Sequence, residues 1–171
     1  MQRLILMRHA KTEAWAEGVD DHGRALTQSG HNAAAAMAAA IVAEGWQPQT
    51  ALISTARRTR ETWHYISKAL PDCDSLITED LYLAGERGIA DLIADHDGNH
   101  TTMVIGHNPG LHDLALSVLR EAGSQDHQAA MRLAGKLPTG AVALFEAAED
   151  GAFVPALLRL KRFMRPKDLV A

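Results

Sequence analysis

Apolar residues fall in short blocks set between polar, glycine-bearing stretches. Residues 3–7 form the first block and stop at Arg8-His9. A run that short predicts a buried strand rather than a helix. Residues 50–54 and 101–105 repeat the pattern, the second ended by Gly106. Residues 75–79 predict a weaker strand. Between these blocks the spacing turns helical. The alanine-rich stretch 32–44 predicts a helix with Thr27 as N-cap and Gly45 as its stop. Further helices are predicted over 56–70, ended by Pro71, over 89–96, over 109–122 with Pro109 in the first turn, and over 125–135. Residues 141–147 and 153–160 predict two closing strands, with Glu149-Asp150-Gly151 turning between them as an antiparallel hairpin.

Strands alternating with helices predict an α/β fold in three layers. A mainly parallel sheet carries helices on both faces and the hairpin at its C-terminal end. Residues 1–171 are expected to form one domain, because no repeat or low-complexity linker interrupts them. In such folds ligands bind beyond the carboxyl ends of the parallel strands. Three segments would deliver polar groups there: Arg8-His9, the run from Ser54 to Thr62, and Gly106-His107-Asn108.

Composition narrows what those groups can do. Hydrophobic residues are 47% and charged residues 22%, enough apolar material for a sizeable core. The formal net charge of −4 gives no bulk attraction to nucleic acid or to an anionic membrane. Any anion site must therefore be local. The single cysteine, Cys73, fits a reducing compartment and reads as a bystander. The opening apolar run is too short for a secretory signal, and no stretch is long enough to span a bilayer, so a cytoplasmic location is expected.

The three segments supply imidazoles and guanidiniums but no carboxylate pair. Arginine is the side chain best matched to a phosphoryl group, because its planar fork binds two oxygens and keeps its charge. Helix starts after Ser54 and at Pro109 would add backbone donors. A neutral histidine in such a pocket can take a phosphoryl group on nitrogen and release it to water, dividing one hard step into two.

The motifs carry a resemblance. Leu6-Met7-Arg8-His9-Ala10-Lys11-Thr12 resembles the Arg-His-Gly signature of the histidine phosphatase superfamily. Asp21 with Arg24-Ala25-Leu26-Thr27 and Gly30 is similar to the stretch that follows it. Ser54 through Thr62 resembles the superfamily's Ser-x-x-x-Arg-Ala-x-x-Thr helix start. Val104-Ile105-Gly106-His107-Asn108 resembles its second-histidine motif. The likeness runs in register from residue 4 to about residue 145. It implies a phosphoglycerate-mutase-like fold and no metal or other cofactor. It implies His9 as the phosphorylated nucleophile, with Arg8, Arg58 and His107 holding the phosphoryl group. Asn108 would join the phosphate-binding set. Arg57 and Arg60 do not align with that role. Ala10 stands where glycine is usual, which is tolerated if the backbone there keeps a negative φ.

Larger members of the superfamily carry a carboxylate general acid after the third strand. Here the candidates are Glu79, Asp80 and Glu86, and none lies in a convincing motif. The short chain looks most like the bacterial phosphohistidine phosphatases of the SixA type. An alkoxide leaving group needs a proton from the enzyme. Imidazole, whose conjugate acid titrates near 6.5, does not need one when its other nitrogen is already protonated. The resemblance therefore implies a phosphohistidine in a partner protein as substrate. Two alternatives stay open: a small-molecule phosphomonoesterase of the same superfamily, and a phosphate-binding module without turnover.

Other features read more plainly. His22, His31, His64, His96, His100, His112 and His127 lack the helical pairing of a zinc enzyme, and Gly98-Asn99 separates His96 from His100. Trp15 is a candidate for the pocket mouth, whereas Trp46 and Trp63 are candidates for packing. The basic run Arg159-Lys161-Arg162-Arg165-Lys167 reads as an edge strand with a solvated end, or as a docking patch for an acidic partner.

Overall fold

The computed structural model of the chain describes residues 1–18, 20–96 and 101–169. Strand β1 (Arg3–Arg8) leads through a long loop to helix α1 (Gln28–Ala43). Then follow β2 (Thr50–Ser54), α2 (Arg57–Ala69), β3 (Asp74–Thr78), α3 (Glu86–Asp95), β4 (Thr101–Gly106), α4 (Gly110–Ala122), α5 (His127–Gly135), β5 (Val142–Ala147) and β6 (Leu158–Met164). The six strands form one sheet in the order β3-β2-β4-β1-β5-β6. The first four run parallel, while β5 and β6 pair antiparallel. This is the expected α/β sandwich with its C-terminal antiparallel pair.

Alternation along the strands divides the core in two, because successive side chains point to opposite faces. Leu4 and Leu6 pack with Val104, Leu111, Leu114, Val118 and Phe145 on the face covered by α3, α4 and α5. Ile5 and Met7 pack with Met37, Ile41, Trp46, Trp63 and Ile66 on the face covered by α1 and α2. Trp46 and Trp63 are thus packing residues. Cys73 packs at the edge of this second core, and burial, aided by the Asp74 charge, pushes its thiol up to about 11. A thiol so rarely ionised is inert. Among the described residues no helix is long and apolar enough to cross a membrane.

Helix α1 starts where Thr27 accepts from the Gly30 amide at 3.0 Å, a cap worth about 1 kcal/mol. Gly30 itself has no room for a side chain, since a Cβ would lie 2.1 Å from the Lys11 carbonyl oxygen. That contact seats α1 against the chain leaving β1. Helix α3 begins one turn before the expected 89–96. Its first residues, Glu86, Arg87 and Gly88, bury nothing and leave no apolar period to read.

The last strand differs most from expectation. Residues 153–160 were expected, but β6 spans Leu158–Met164, after a single helical turn at Pro155–Leu157. Proline has no N–H to give a ladder, so the strand cannot start earlier without loss. A bulge opposite Leu144/Phe145 then leaves Lys161 unpaired in the register. Leu160 and Phe163, three apart, consequently join the same core. The period of two is broken there, and the alternation cue with it.

Candidate active site

The strands β2, β4 and β1 lie side by side at the centre of the sheet, so their carboxyl ends open on one edge. Arg8 pairs with Gly106 in the parallel register, which carries His9 and His107 off the sheet together. The His9 amide donates to the Gly106 carbonyl at 3.1 Å. The two imidazole centroids are 5.3 Å apart. Ser54, ending β2, places its hydroxyl 2.8 Å from His107 Nε2. Helix α2 follows at once and turns Arg58 inward, 4% exposed, while Arg57 and Arg60 face solvent. Thr62, one turn on, accepts from the Ala10 amide at 3.0 Å and ties the loop after His9 to this helix. Ala10 keeps a negative φ, since Leu83 is the one non-glycine with positive φ among the described residues.

His9 Nδ1 lies 2.8 Å from its neighbour's carbonyl, Ala10 O. A carbonyl only accepts, so Nδ1 carries the hydrogen and Nε2 keeps a free lone pair. Burial, ahead of the charges of Arg58, Arg8 and Arg24, pushes His9 down to about 4, although the Ala10 bond works the other way. Burial likewise pushes His107 down to about 3, with Arg58 the leading charge. Both imidazoles are neutral at physiological pH. Ser54 also accepts weakly from the Ala56 amide at 3.4 Å, leaving its hydroxyl hydrogen for His107 Nε2. His107 Nδ1 then bears the ring's one N–H hydrogen, and it is buried without a partner. A buried donor left open costs free energy unless a ligand completes it.

Arg8 is fixed by its Nη1, which donates to the Leu137 carbonyl at 3.1 Å, while its Nε is buried and unpartnered. Asn108 Nδ2 donates to the same carbonyl at 3.0 Å. That bond uses one of the two amide hydrogens, while Oδ1 is buried without a partner. Asn108 therefore braces Leu137 and, through it, Arg8. The helix starts also offer less than expected, because the Arg57 amide at the head of α2 donates to the His22 carbonyl.

Several groups at the site carried no assigned role in the sequence reading. Asp21 accepts from Arg58 Nη2 at 3.0 Å, from Arg24 Nη1 at 3.0 Å and from the Tyr82 hydroxyl at 3.0 Å. Burial pushes its carboxyl up, but the bonds from Arg24 and Tyr82 and the Arg58 charge overcome this and hold it at about 2. Asp21 is thus an anion and no proton donor. Tyr82 stands edge-on to His107, centroids 5.6 Å apart, and to His22 at 4.8 Å. Asp21 belongs to the motif after the Arg-His signature, but an aspartate there has no task until its partners are known. Tyr82 and the Leu137 carbonyl gave no signal, since neither spacing nor residue type marks a backbone oxygen.

Of the three acid candidates, Glu79 comes nearest. It accepts from the Thr55 hydroxyl at 2.5 Å, and Thr55 is 2.9 Å from His22 Nε2. Its side chain is 71% exposed, so this chain of contacts lies on the rim. Asp80 is taken by Thr78 at 2.9 Å, and Glu86 opens α3. Trp15 is 71% exposed. Among the described residues no group of three or more His, Cys, Asp or Glu side chains is placed to hold a metal. The His96–His100 pair lies partly outside the described residues. His96 Nδ1 is 2.9 Å from the Leu92 carbonyl.

The model of the histidine phosphatase superfamily (branch 1) matches residues 4–82. An uncharacterised protein of Mycobacterium tuberculosis is 32% identical over 163 residues, covering 94% of this chain and 100% of its own length. The chain belongs to the histidine phosphatase superfamily. Within the superfamily it resembles the SixA type. A protein assigned as phosphohistidine phosphatase SixA from Agrobacterium tumefaciens superposes with a TM-score of 0.82 at 26% identity, covering 96% of this chain and 98% of that one. A protein histidine phosphatase SixA complexed with tungstate shares the fold, TM-score 0.76 at 19% identity over 98% and 99%. The fold extends to a phosphoglycerate mutase of Plasmodium falciparum and a mycobacterial glucosyl-3-phosphoglycerate phosphatase, with TM-scores of 0.59 and 0.61 at 18% and 14% identity. The fold is therefore shared with enzymes named for small phosphorylated molecules.

The depressed imidazoles have a consequence for stability. Both titrate below their unfolded value of 6.5. Between about pH 6.5 and pH 3 the unfolded chain binds more protons than the folded one, so stability falls as pH drops through that window. Thermal unfolding followed from pH 7 to pH 4 should show Tm falling, and less steeply in a His9→Gln variant. Histidine resonances followed by NMR should place the His9 midpoint near 4; a midpoint near 6.5 would contradict the buried, cation-flanked environment.

Proposed function

We propose that this chain is a cofactor-independent phosphatase acting on phosphohistidine in a partner protein, with residues 1–171 forming its one domain. The observation that carries the reading is a neutral imidazole with its Nε2 lone pair free, flanked by two guanidiniums, in a pocket whose bound carboxylate is ionised and gives up no proton. His9 Nε2 attacks phosphorus in line with the substrate's P–N bond. The new N–P bond forms on His9 as the old one breaks, and the electron pair leaves with the substrate imidazole. That imidazole departs neutral when its other nitrogen carries a proton. Arg8 and Arg58 balance the equatorial oxygens, and His107 Nδ1–H donates to one of them. Such preorganised donors stabilise charge where it develops.

The Ala10 carbonyl supports the second half of the cycle. It keeps the hydrogen on His9 Nδ1, so phosphorylated His9 is an imidazolium. Water then attacks phosphorus and the N–P electrons return to Nε2. The ring comes back neutral, and the water's proton leaves on the phosphate. Neither step requires a strong acid from the protein.

The substrate class is tested by leaving-group dependence. With Asp21 ionised and Glu79 on the rim, the rate is expected to fall steeply as the leaving group becomes more basic. A phosphohistidine peptide should outpace an aryl phosphate, and an alkyl phosphate should be slowest. A flat series of kcat/KM against leaving-group pKa would instead place an effective acid in the pocket and favour a small phosphomonoester as substrate.

A further inference from the structure

The C-terminal segment carries five cations, Arg159, Lys161, Arg162, Arg165 and Lys167. The fold sorts them into two groups. On β6, Lys161 reaches Glu146 at 3.6 Å and Arg162 reaches Glu44 at 3.1 Å. Arg159 lines a shallow groove with Lys161 and the same Glu146. Past the strand, the single turn at Pro166–Asp168 carries Arg165 and Lys167 away from those acids. They meet Arg132 and Lys136, which come from the end of α5. The four cations line one cleft of about 330 Å³ together with Pro138, Thr139 and Pro166.

No carboxylate lines this cleft. Arg165 is held by Asp168, with bonds of 2.8 and 2.6 Å to its side chain. Arg132 also borders the adjoining groove, where Asp126 and Asp168 lie. Lys136 and Lys167 are exposed, and among the described residues their side chains have no ion-pair partner. The cleft is therefore a positive recess on a chain of net charge −4. An acidic partner is repelled by the molecule at large and attracted here, which sets its orientation.

The cleft shares a wall with the phosphoryl pocket. The Leu137 carbonyl holds Arg8 and Asn108 on one side. The Gly140 amide donates to the His9 carbonyl at 2.9 Å, while a Cβ on Gly140 would lie 2.8 Å from Pro166 Cγ. Residues 137–140 thus touch both the phosphoryl pocket and the cleft. A small ester has no flanking residues to carry past residues 137–140. An extended peptide advances about 3.3 Å per residue, so residues two to four away from the phosphohistidine lie about 7 to 13 Å along it.

We propose that this cleft, built by Arg132, Lys136, Arg165 and Lys167, is a docking subsite for carboxylate side chains flanking the phosphohistidine of the protein substrate. The proposal rests on the phosphohistidine reading above. Lysines suit the task, because flexible point charges accept carboxylates in several positions.

The test uses two synthetic peptides with the same phosphohistidine. One carries aspartate and glutamate two to four residues away; the other carries serine and glutamine there. p-Nitrophenyl phosphate reports the chemistry alone. The protein is expected to favour the acidic peptide by about tenfold in kcat/KM. That preference should vanish in about 0.5 M salt, where exposed charges are screened within a few ångströms. The double variant K136E/K167E should lose the preference while hydrolysing the neutral peptide and the aryl ester as before. Both positions are exposed, so the fold is not at risk. Equal hydrolysis of the two peptides, or a preference that survives the double substitution, would overturn the docking subsite alone. His9-dependent hydrolysis of the aryl ester with neither peptide touched would overturn the phosphohistidine reading, and the subsite with it.

Discussion

Replacing His9 with alanine is expected to abolish turnover, with kcat/KM falling by about 10⁴-fold or more. The size follows from what the ring alone supplies. Its Nε2 is the one lone pair held free between two arginines, because Nδ1 is committed to the Ala10 carbonyl. Asp21 cannot replace it as nucleophile, since three donors already engage its carboxylate. His107 faces the same space, but its Nε2 is engaged by Ser54. Rapid mixing with substrate followed by mass analysis gives a direct measurement. The native chain should gain one acid-labile phosphoryl group, located on His9, and the variant none. Substantial activity in His9→Ala would remove the nucleophile assignment. A native chain that binds phosphate but never becomes phosphorylated would make it a binding module.

Arg58→Ala is expected to lower kcat/KM by about 10²–10³-fold, the usual cost of one preorganised charge-stabilising group. Arg58→Lys should recover little of it, because a lysine cannot reproduce a fork that grips Asp21 while presenting a charge to the phosphoryl oxygens. A second measurement separates this from simple misfolding. Arg58 is the leading charge depressing His107 and also depresses His9. Its removal should therefore raise both midpoints in an NMR titration. Loss of activity with unmoved midpoints would mean that Arg58 is not where the structure places it.

Much of this was legible in the sequence because it rests on local rules. Short apolar blocks mark β1, β2 and β4 where each is buried on both faces, so no polar alternation is needed to find them. The carboxyl ends of these strands then bring Arg8, His9, His107 and the start of α2 together through topology, while the resemblance, not spacing, singles out Arg58 from Arg57 and Arg60. The remainder depends on contacts distant along the chain. Asp21 acquires its role from Arg58 and Tyr82, 37 and 61 residues away. Asn108 gains a bracing contact because a carbonyl 29 residues on accepts one of its amide hydrogens. Lys161 drops out of register because β6 bulges against β5, and a period-two reading of residues 153–160 cannot anticipate a skipped residue. Three-dimensional neighbours, rather than residue types, decide each of these.

The backbone bond from the His9 amide to Gly106 has a kinetic meaning as well. It extends the ladder between β1 and β4, whose strands are the innermost of the sheet and whose residues 101–106 are all buried. Amides in such positions exchange their hydrogens only when the whole fold opens. Inactivation by heat or denaturant should accordingly coincide with global unfolding, leaving no folded species that has lost the site.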